Sequence, residues 1–333
     1  MHGNIQKGVR FGAALALALA LCATAALAAE TGGKRLVPVG HTVGVKLFSR
    51  GVVVVKLPEG STPARTCGLK TGDVIEACGG RTVTSTEQFQ SLLQENGTDT
   101  TELSVKRQGS PVTLSVEPER NEEGACCIGA WVRDSMAGIG TVTYYDPDTN
   151  TFGALGHGIT DGDTAALMPF GNGAILPSTV KAVKKGSCGS AGELRGEFDL
   201  TEELGQLYAN TGCGIFGTLN AACSLAEGEA LPVGDASEGP AVIRSNISGD
   251  EVQEYAVEIL KTIPDAPDGR ELVISVTDPE LIAATGGIVQ GMSGSPILQN
   301  GQLVGAVTHV LLSDPTKGYG ISVETMLNTG AMT

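Results

Sequence analysis

Short apolar runs separated by glycine, aspartate, asparagine and proline recur from residue 128 to residue 332, and this pattern constrains the fold more than any other feature. The runs include GIGTVTYYDPDTNTFGALGHGI, ELVISVTD and GGIVQGMSGSPILQNGQLVGAVTHVL. Evenly spaced strand-like runs of this kind are typical of a β-sandwich or β-barrel. Asn300-Gly301 lies between two of them and predicts a hairpin turn. The 47 glycines and the 4% aromatic content agree with many short strands rather than long helices.

Residues 36–119 have a different pattern, in which strand-like runs flank one predicted helix. In that helix, STEQFQSLLQENG, Phe89, Leu92 and Leu93 share one face. Ser85 and Gln88 have the spacing of a capping box at its start. A small α+β domain is therefore predicted before the long β-rich region.

This small domain resembles a PDZ domain, chiefly through CGLKTGDVIEACGGRTV. The resemblance implies that Val43, Gly44 and Val45, within HTVGVKL, form the loop whose amides hold a peptide carboxylate. PDZ domains bind an extended peptide by adding it as a strand to a sheet edge. A β-rich domain that only orients its neighbour is the alternative.

The first 29 residues have the parts of a secretory signal. Lys7 and Arg10 precede an uncharged apolar run from Phe11 to Ala29, which ends in small residues. The run is also nearly long enough to remain as a membrane anchor, so membrane association through residues 11–29 is an alternative to cleavage. In both cases the rest of the chain is expected outside the cytoplasm.

Charge and cysteine content exclude several kinds of partner. The net charge of −15 argues against nucleic acid and anionic membrane surfaces. The eight cysteines are scattered without metal-ligand spacing, so no metal site and no cofactor are expected. Most of these cysteines are predicted to be small buried residues, and their number allows one or two disulfides.

A histidine and a serine, each framed by glycines, suggest nucleophilic catalysis. His157 lies in ALGHGI and Ser293 in GMSGSP. A serine hydroxyl needs a base to remove its proton, and His157 is the better candidate because His309 lies in an alternating strand-like run typical of a structural residue. The amides of Gly291 and Ser293 are predicted to stabilise an oxyanion.

A carboxylate is then needed to orient the histidine, and Asp278, fifteen residues before the serine, ends a strand-like run. Asp161 and Asp163 are closer to His157 in sequence and remain alternatives, although TDGDT also resembles a solvated turn. Ser295 is the alternative nucleophile.

The serine-containing block, with GQLVGAV and GYGI after it, resembles the nucleophile segment of chymotrypsin-like serine proteases. The block and GALGHGITDGD together resemble the SpoIVB-type sporulation peptidases. Those peptidases also have a hydrophobic segment, a PDZ domain and a peptidase domain in this order. The resemblance implies a mainly β protein with a chymotrypsin-like double β-barrel at residues 128–332, and it implies His157 as base, Asp278 as orienting acid and Ser293 as nucleophile. Met292 stands where trypsin-like zymogens carry an aspartate, so no activation by an ion pair to a new N-terminus is expected.

The same resemblance implies the biological partners. They are the chain's own N-terminal region and a membrane-bound sporulation regulator, whose cleavage releases an intramembrane protease that processes a mother-cell sigma factor. The expected location is the space between the forespore and mother-cell membranes.

Overall fold

The computed structural model describes residues 33–220 and 223–332 of the chain. The segment predicted as signal or anchor, residues 1–29, lies outside them. Within the described residues, no helix has the length and apolar character needed to cross a membrane. The seven described cysteines are free thiols.

Strands dominate, as predicted, and helices are short. The strands are β1 Arg35–Pro38, β2 Thr42–Lys56, β3 Val74–Cys78, β4 Arg81–Thr82, β5 Thr101–Arg107, β6 Ser110–Val116, β7 Glu119–Arg120, β8 Cys126–Cys127, β9 Trp131–Asp146, β10 Thr151–Ala154, β11 Phe170–Lys184, β12 Glu193–Phe198, β13 Gly205–Thr211, β14 Gly214–Leu219, β15 Leu231–Pro232, β16 Gly239–Ser245, β17 Gln253–Thr262, β18 Leu272–Val276, β19 Pro296–Gln299, β20 Gln302–Val310 and β21 Lys317–Ser322. The helices are α1 Pro63–Thr66, α2 Thr86–Asn96, α3 Pro279–Thr285 and α4 Val323–Ala331, with a 3-10 turn at Ser224–Ala226.

Six strands form a first closed barrel. Their order is β2, β9, β10, β14, β13 and β11, and the ring closes because β2 pairs with both β11 and β9. All the pairs are antiparallel. Val43, Phe152, Ile175 and Ile215 belong to its core and are fully buried.

The second barrel is also closed, in the order β16, β17, β18, β21, β20 and β19. Its core includes Ile243, Ile274 and Ile297. The predicted hairpin joins β19 to β20, and both turn residues have positive φ, 52° for Asn300 and 74° for Gly301. Asparagine and glycine adopt that conformation readily, which is why the dipeptide marks the turn. The predicted double β-barrel is confirmed.

The small domain is inserted into the first barrel rather than placed before it. The N-terminal half of β2 pairs with β11 and β9, and its C-terminal half pairs with β3 and again with β9, so that the same sheet continues through β3 into β5 and β6 of the small domain. The chain returns to the barrel along β9. The first half of β2 is thus a strand of the first barrel, and β1 pairs with β9 beside it, although both strands lie almost entirely within residues 36–119.

The core of the small domain forms as its sequence predicts. Phe89, Leu92 and Leu93 of α2 are all buried. Ser85 Oγ caps the helix by accepting a hydrogen bond from Gln88 N. Gln88 Oε1 accepts from Thr84 N rather than from Ser85 N, so the capping box is displaced by one residue.

Val43, Gly44 and Val45 do not form a peptide-binding loop. They lie in the middle of β2, with Gly140, Ile139 and Gly138 opposite on one side and Pro177, Leu176 and Ile175 opposite on the other. A strand with neighbours on both sides has no free edge for an added peptide.

The chain itself also covers part of the surface of α2. Gln90 and Gln94 donate hydrogen bonds to Cys126 O, and Thr86 N donates to the Asp134 carboxylate. Residues 126–134 therefore lie against α2 where they join the small domain to β9.

Candidate active site

A cleft of about 880 Å³ contains the predicted base and nucleophile. His157, Gly291 and Ser293 line it together with Thr308 and His309. Part of its wall comes from residues 191–198, a stretch whose sequence shows no recognisable motif. The structure therefore brings together His157, Ser293 and the predicted oxyanion residue.

Glycines and one buried threonine shape the loop that carries Ser293. Gly294 has a φ of +98°, and a Cβ there would lie 2.0 Å from Thr141 O. Thr141, on β9 of the first barrel, donates its amide to Ser293 O at 2.9 Å and its hydroxyl to Gly291 O at 2.7 Å. The first barrel thus fixes the nucleophile of the second.

The backbone around Ser293 has the donors that acyl transfer requires. The amides of Gly291 and Ser293 have no acceptor among the described residues, whereas the neighbouring Met292 N and Gly294 N are both paired. The Ser293 hydroxyl donates to Thr308 O at 2.8 Å. Two unpaired amides beside a serine hydroxyl are the arrangement that stabilises an oxyanion.

His157 follows β10 at a strained turn. Leu155 and Gly156 both have positive φ, 70° and 67°. The His157 Nδ1 lies 2.9 Å from Gly158 O. When Nδ1–H donates to this carbonyl, Nε2 carries the lone pair and is the basic nitrogen. Burial lowers the pKa of His157 below its ordinary value, and the Gly158 hydrogen bond opposes that shift only in part.

His309 is the site residue that the sequence interpretation missed. Its ring centroid lies 5.0 Å from that of His157, with the ring planes tilted by 39°. Burial, and then the neighbouring His157, lower the pKa of His309 to about 4. The sequence offered one indication of its role: the chain has only four histidines, and His309 is one of the two in the β-rich region.

Asp278 is not brought to His157, contrary to the predicted triad. It is the N-cap of α3, where Oδ1 accepts from Glu280 N at 2.9 Å and Leu281 N at 3.0 Å. Oδ2 accepts from Ala256 N at 3.3 Å. No described hydrogen bond or ion pair joins it to the histidine, and it does not line the cleft. An aspartate that ends a strand and begins a helix is drawn to these unpaired amides.

The alternative residues are occupied elsewhere. Asp161 and Asp163 both form ion pairs with Arg133, so neither orients His157. Ser295 is fully buried, and its hydroxyl donates to Ser245 Oγ at 3.2 Å. Met292 is fully buried in the core of the second barrel.

A double β-barrel with a serine, a histidine and free amides in one cleft defines a serine peptidase. The chain belongs to the SpoIVB peptidase S55 family, whose model matches residues 124–327. A PDZ-domain model matches residues 37–117. The predicted family, enzyme class and PDZ-plus-peptidase architecture are therefore confirmed.

Individual relatives match shorter parts of the chain. Serine protease HTRA1 of Xenopus tropicalis is 35% identical over 74 residues, which are 22% of this chain and 15% of that relative. The PDZ domain of an SdrC-like protein from Listeria monocytogenes is 21% identical, with 25% of this chain and 87% of that chain covered and a TM-score of 0.23. The active form of the Rv3671c protease from M. tuberculosis is 15% identical, covering 60% of this chain and 74% of that chain with a TM-score of 0.31.

Proposed function

We propose that this chain is an extracytoplasmic endopeptidase of endospore formation that cuts its own N-terminal region and a membrane-bound regulator. Cleavage of the regulator releases an intramembrane protease, which then processes a mother-cell sigma factor. The observation that carries the endopeptidase activity is the pair of unpaired amides, Gly291 N and Ser293 N, beside a serine that shares its cleft with a half-buried histidine. Membership of the SpoIVB peptidase family supports the sporulation role.

The chemistry follows from these groups. Ser293 Oγ leaves Thr308 O and attacks the substrate carbonyl carbon, while its proton passes to His157 Nε2. The developing oxyanion accepts hydrogen bonds from Gly291 N and Ser293 N. His157 then gives the proton to the departing amine, and a water molecule hydrolyses the acyl-enzyme by the same route. Gly158 O holds the histidine in the required tautomer throughout.

The N-terminal hydrophobic run supports a location at a membrane. The uncharged stretch from Phe11 to Ala29 has the composition of an export signal or an anchor, and either role supports a peptidase domain outside the cytoplasm. A chain held near a membrane in this way has its own linker and other membrane-bound proteins as accessible substrates.

A fluorophosphonate probe tests the peptidase chemistry without a known substrate, because it reacts only with an activated serine. The wild-type chain is expected to be labelled at Ser293, as shown by peptide mass spectrometry, and Ser293→Ala is expected to abolish labelling. Ser295→Ala is the matched control, since it removes the other hydroxyl of the same loop. Labelling of Ser293→Ala at the wild-type rate would refute the assignment.

The sporulation role needs a cellular test. In a spore-forming host that lacks its own copy, the wild-type gene is expected to restore sigma-factor processing on an immunoblot, and Ser293→Ala is not. Normal processing with Ser293→Ala would contradict the proposed pathway while leaving the labelling result intact.

A further inference from the structure

The part of the cleft next to the oxyanion amides has an apolar wall. Ile288 and Val289 lie shortly before Gly291 in the loop that carries the nucleophile, and both line the cleft. Val310, the last residue of β20, lines it too. The first two belong to the core of the second barrel, and Val310 packs against that core. A substrate side chain that enters this part of the cleft therefore contacts hydrocarbon.

Ile288 closes this part of the cleft. Its Cδ1 lies 2.7 Å from the position that a Cβ on Gly318 would occupy, so the side chain reaches the backbone of β21. Gly318 is opposite Val310 in the β20–β21 pair, and it does not line the cleft. The Ile288 amide donates to Pro315 O at 2.8 Å, and a Cβ on Gly287 would lie 2.1 Å from the same oxygen. Because this backbone is close-packed, the floor has no space in which to retreat from a large substrate side chain.

The position of the scissile bond places one substrate side chain over this floor. In the proposed mechanism the attacked carbonyl oxygen accepts hydrogen bonds from Gly291 N and Ser293 N. The residue that supplies this carbonyl, here called the acyl-side residue, carries its side chain on the atom next to the carbonyl carbon. Thr308 O, which accepts from the Ser293 hydroxyl, lies two residues before Val310. The nucleophile and the apolar floor therefore belong to the same two segments, the nucleophile loop and the end of β20, and the acyl-side side chain enters between them.

The charged side chains of the cleft lie on a different face. Among the described residues that line the cleft, the charged ones are Glu193 and Arg195, which pair with each other. Both lie on β12, on the opposite face from Leu194, since side chains alternate along a strand. Leu194 is buried, and its Cβ lies 3.0 Å from the position that a Cβ on Gly291 would occupy. The face of β12 beside the nucleophile loop is therefore apolar, and the two charges lie on its other face.

We propose that this peptidase cuts after small aliphatic residues, chiefly alanine and valine, and that Ile288 sets this preference. The methyl groups of such side chains fill the space above Ile288 and Val310. A leucine or phenylalanine side chain would collide with Ile288, and a charged side chain would lose its hydration without a partner of opposite charge. This inference rests on the proposed peptidase function and names its substrate class.

The test is to let the full chain digest a mixture of unfolded, reduced and alkylated proteins and to identify the new N-termini by mass spectrometry. The residue before each new N-terminus gives the frequency of every acyl-side residue. Ile288→Ala removes the floor, and Ile288→Val removes only the Cδ1 that reaches β21. Ile274→Ala is the matched control, because Ile274 is fully buried in the same barrel core and does not line the cleft. Fluorophosphonate labelling of Ser293 checks that each variant is folded and reactive.

For the wild type we expect most cuts after alanine and valine, and few after aromatic or charged residues. Apolar pockets discriminate by about 10–200-fold for one methylene group. Ile288→Ala should therefore raise cutting after leucine and phenylalanine, relative to alanine, by at least about 10-fold. Ile288→Val should give a smaller shift in the same direction, and Ile274→Ala should keep the wild-type preference.

Three results would overturn the inference. One is a wild type that cuts mainly after aromatic or charged residues, and another is an unchanged preference in every Ile288 variant that is labelled. The third is a wild type that is labelled at Ser293 but cuts none of the unfolded proteins. If Ile288→Ala is not labelled, Ile288→Val alone decides the comparison. Absence of labelling in folded wild-type protein would instead refute the peptidase proposal, and the inference would fall with it.

Discussion

Replacement of Asp278 by asparagine and by alanine separates a helix-capping role from a catalytic role. The two replacements differ in what they leave at the N-terminus of α3. Asparagine keeps an Oδ1 acceptor for Glu280 N and Leu281 N but presents an amide to Ala256 N. Alanine removes all three acceptor contacts. The structure therefore predicts a graded effect on stability and a small effect on chemistry.

The magnitudes follow from helix capping. Loss of an N-cap side chain costs about 1 kcal/mol, in a range of about 0.5–2 kcal/mol. For a chain of this size, about 1 kcal/mol lowers the melting temperature by about 2–4 °C. We expect Asp278→Ala to lower the melting temperature by roughly that amount, and Asp278→Asn to lower it less, because asparagine is as good an N-cap as aspartate.

The catalytic role predicts a very different result. Replacing the orienting aspartate of a serine-protease triad by asparagine lowers kcat about 10⁴-fold while leaving the geometry intact. If Asp278 only caps α3, Asp278→Asn should react with a fluorophosphonate probe within about 3-fold of the wild-type rate, far from that loss. The assay is the labelling rate at saturating probe, measured beside a thermal melt.

A second helix cap supplies the control. Ser322 caps α4 by accepting a hydrogen bond from Thr325 N, and it does not line the cleft. Ser322→Ala should lower the melting temperature about as much as Asp278→Ala, with little change in labelling. If Asp278→Asn loses labelling by orders of magnitude while it melts like the wild type, the capping assignment is insufficient and Asp278 acts on His157.

Three further predictions concern the surroundings of the nucleophile and the base. Gly294→Ala should abolish labelling and lower the free energy of unfolding in urea by about 1–3 kcal/mol, because the new Cβ would collide with Thr141 O. Wild-type stability of this variant would contradict the close approach of the two chain segments. Arg133→Ala should cost about 2 kcal/mol, since it removes the charged partner of the buried Asp161 carboxylate while the guanidinium itself is partly exposed. The carboxylate keeps its hydrogen bonds from Asp163 N and Thr164 N, and unchanged urea unfolding would show that the ion pair is dispensable. Labelling of the wild type should persist below pH 6.5, the ordinary pKa of histidine, because burial lowers the pKa of His157 and keeps the base neutral at lower pH. A labelling rate whose midpoint against pH lies above 6.5 would refute this.

Local pattern was enough to predict the β-barrels, the hairpin and the core of the small domain. Alternation of apolar residues and the Asn300-Gly301 turn depend on nearby residues only, and so does the apolar face of α2. The presence of His157 and Ser293 in one cleft was also accessible, because glycines flank both residues and the family resemblance marks both segments.

The remaining site residues depend on contacts that sequence spacing does not show. Asp278 precedes the serine by a suitable number of residues, but its carboxylate is taken by the amides of the helix that begins there. His309 has the sequence setting of a structural histidine, and only the packing of the two barrels places it against His157. Val43 to Val45 match a PDZ loop, yet β11 and β9 occupy both edges of that strand.

The shared strand β2 determines how this protein can be divided. A fragment that begins at residue 128 lacks strand β2 of the first barrel. The edges of β9 and β11 that pair with β2 are then exposed and prone to aggregation. Residues 128–332 alone are therefore not expected to fold as an independent domain. Internal excision is the workable alternative: Phe48 lies opposite Ser135, so a tight turn joining these positions would convert the insertion into a simple hairpin. Conversely, a protease nick within the insertion would leave two polypeptides that remain associated through a single sheet.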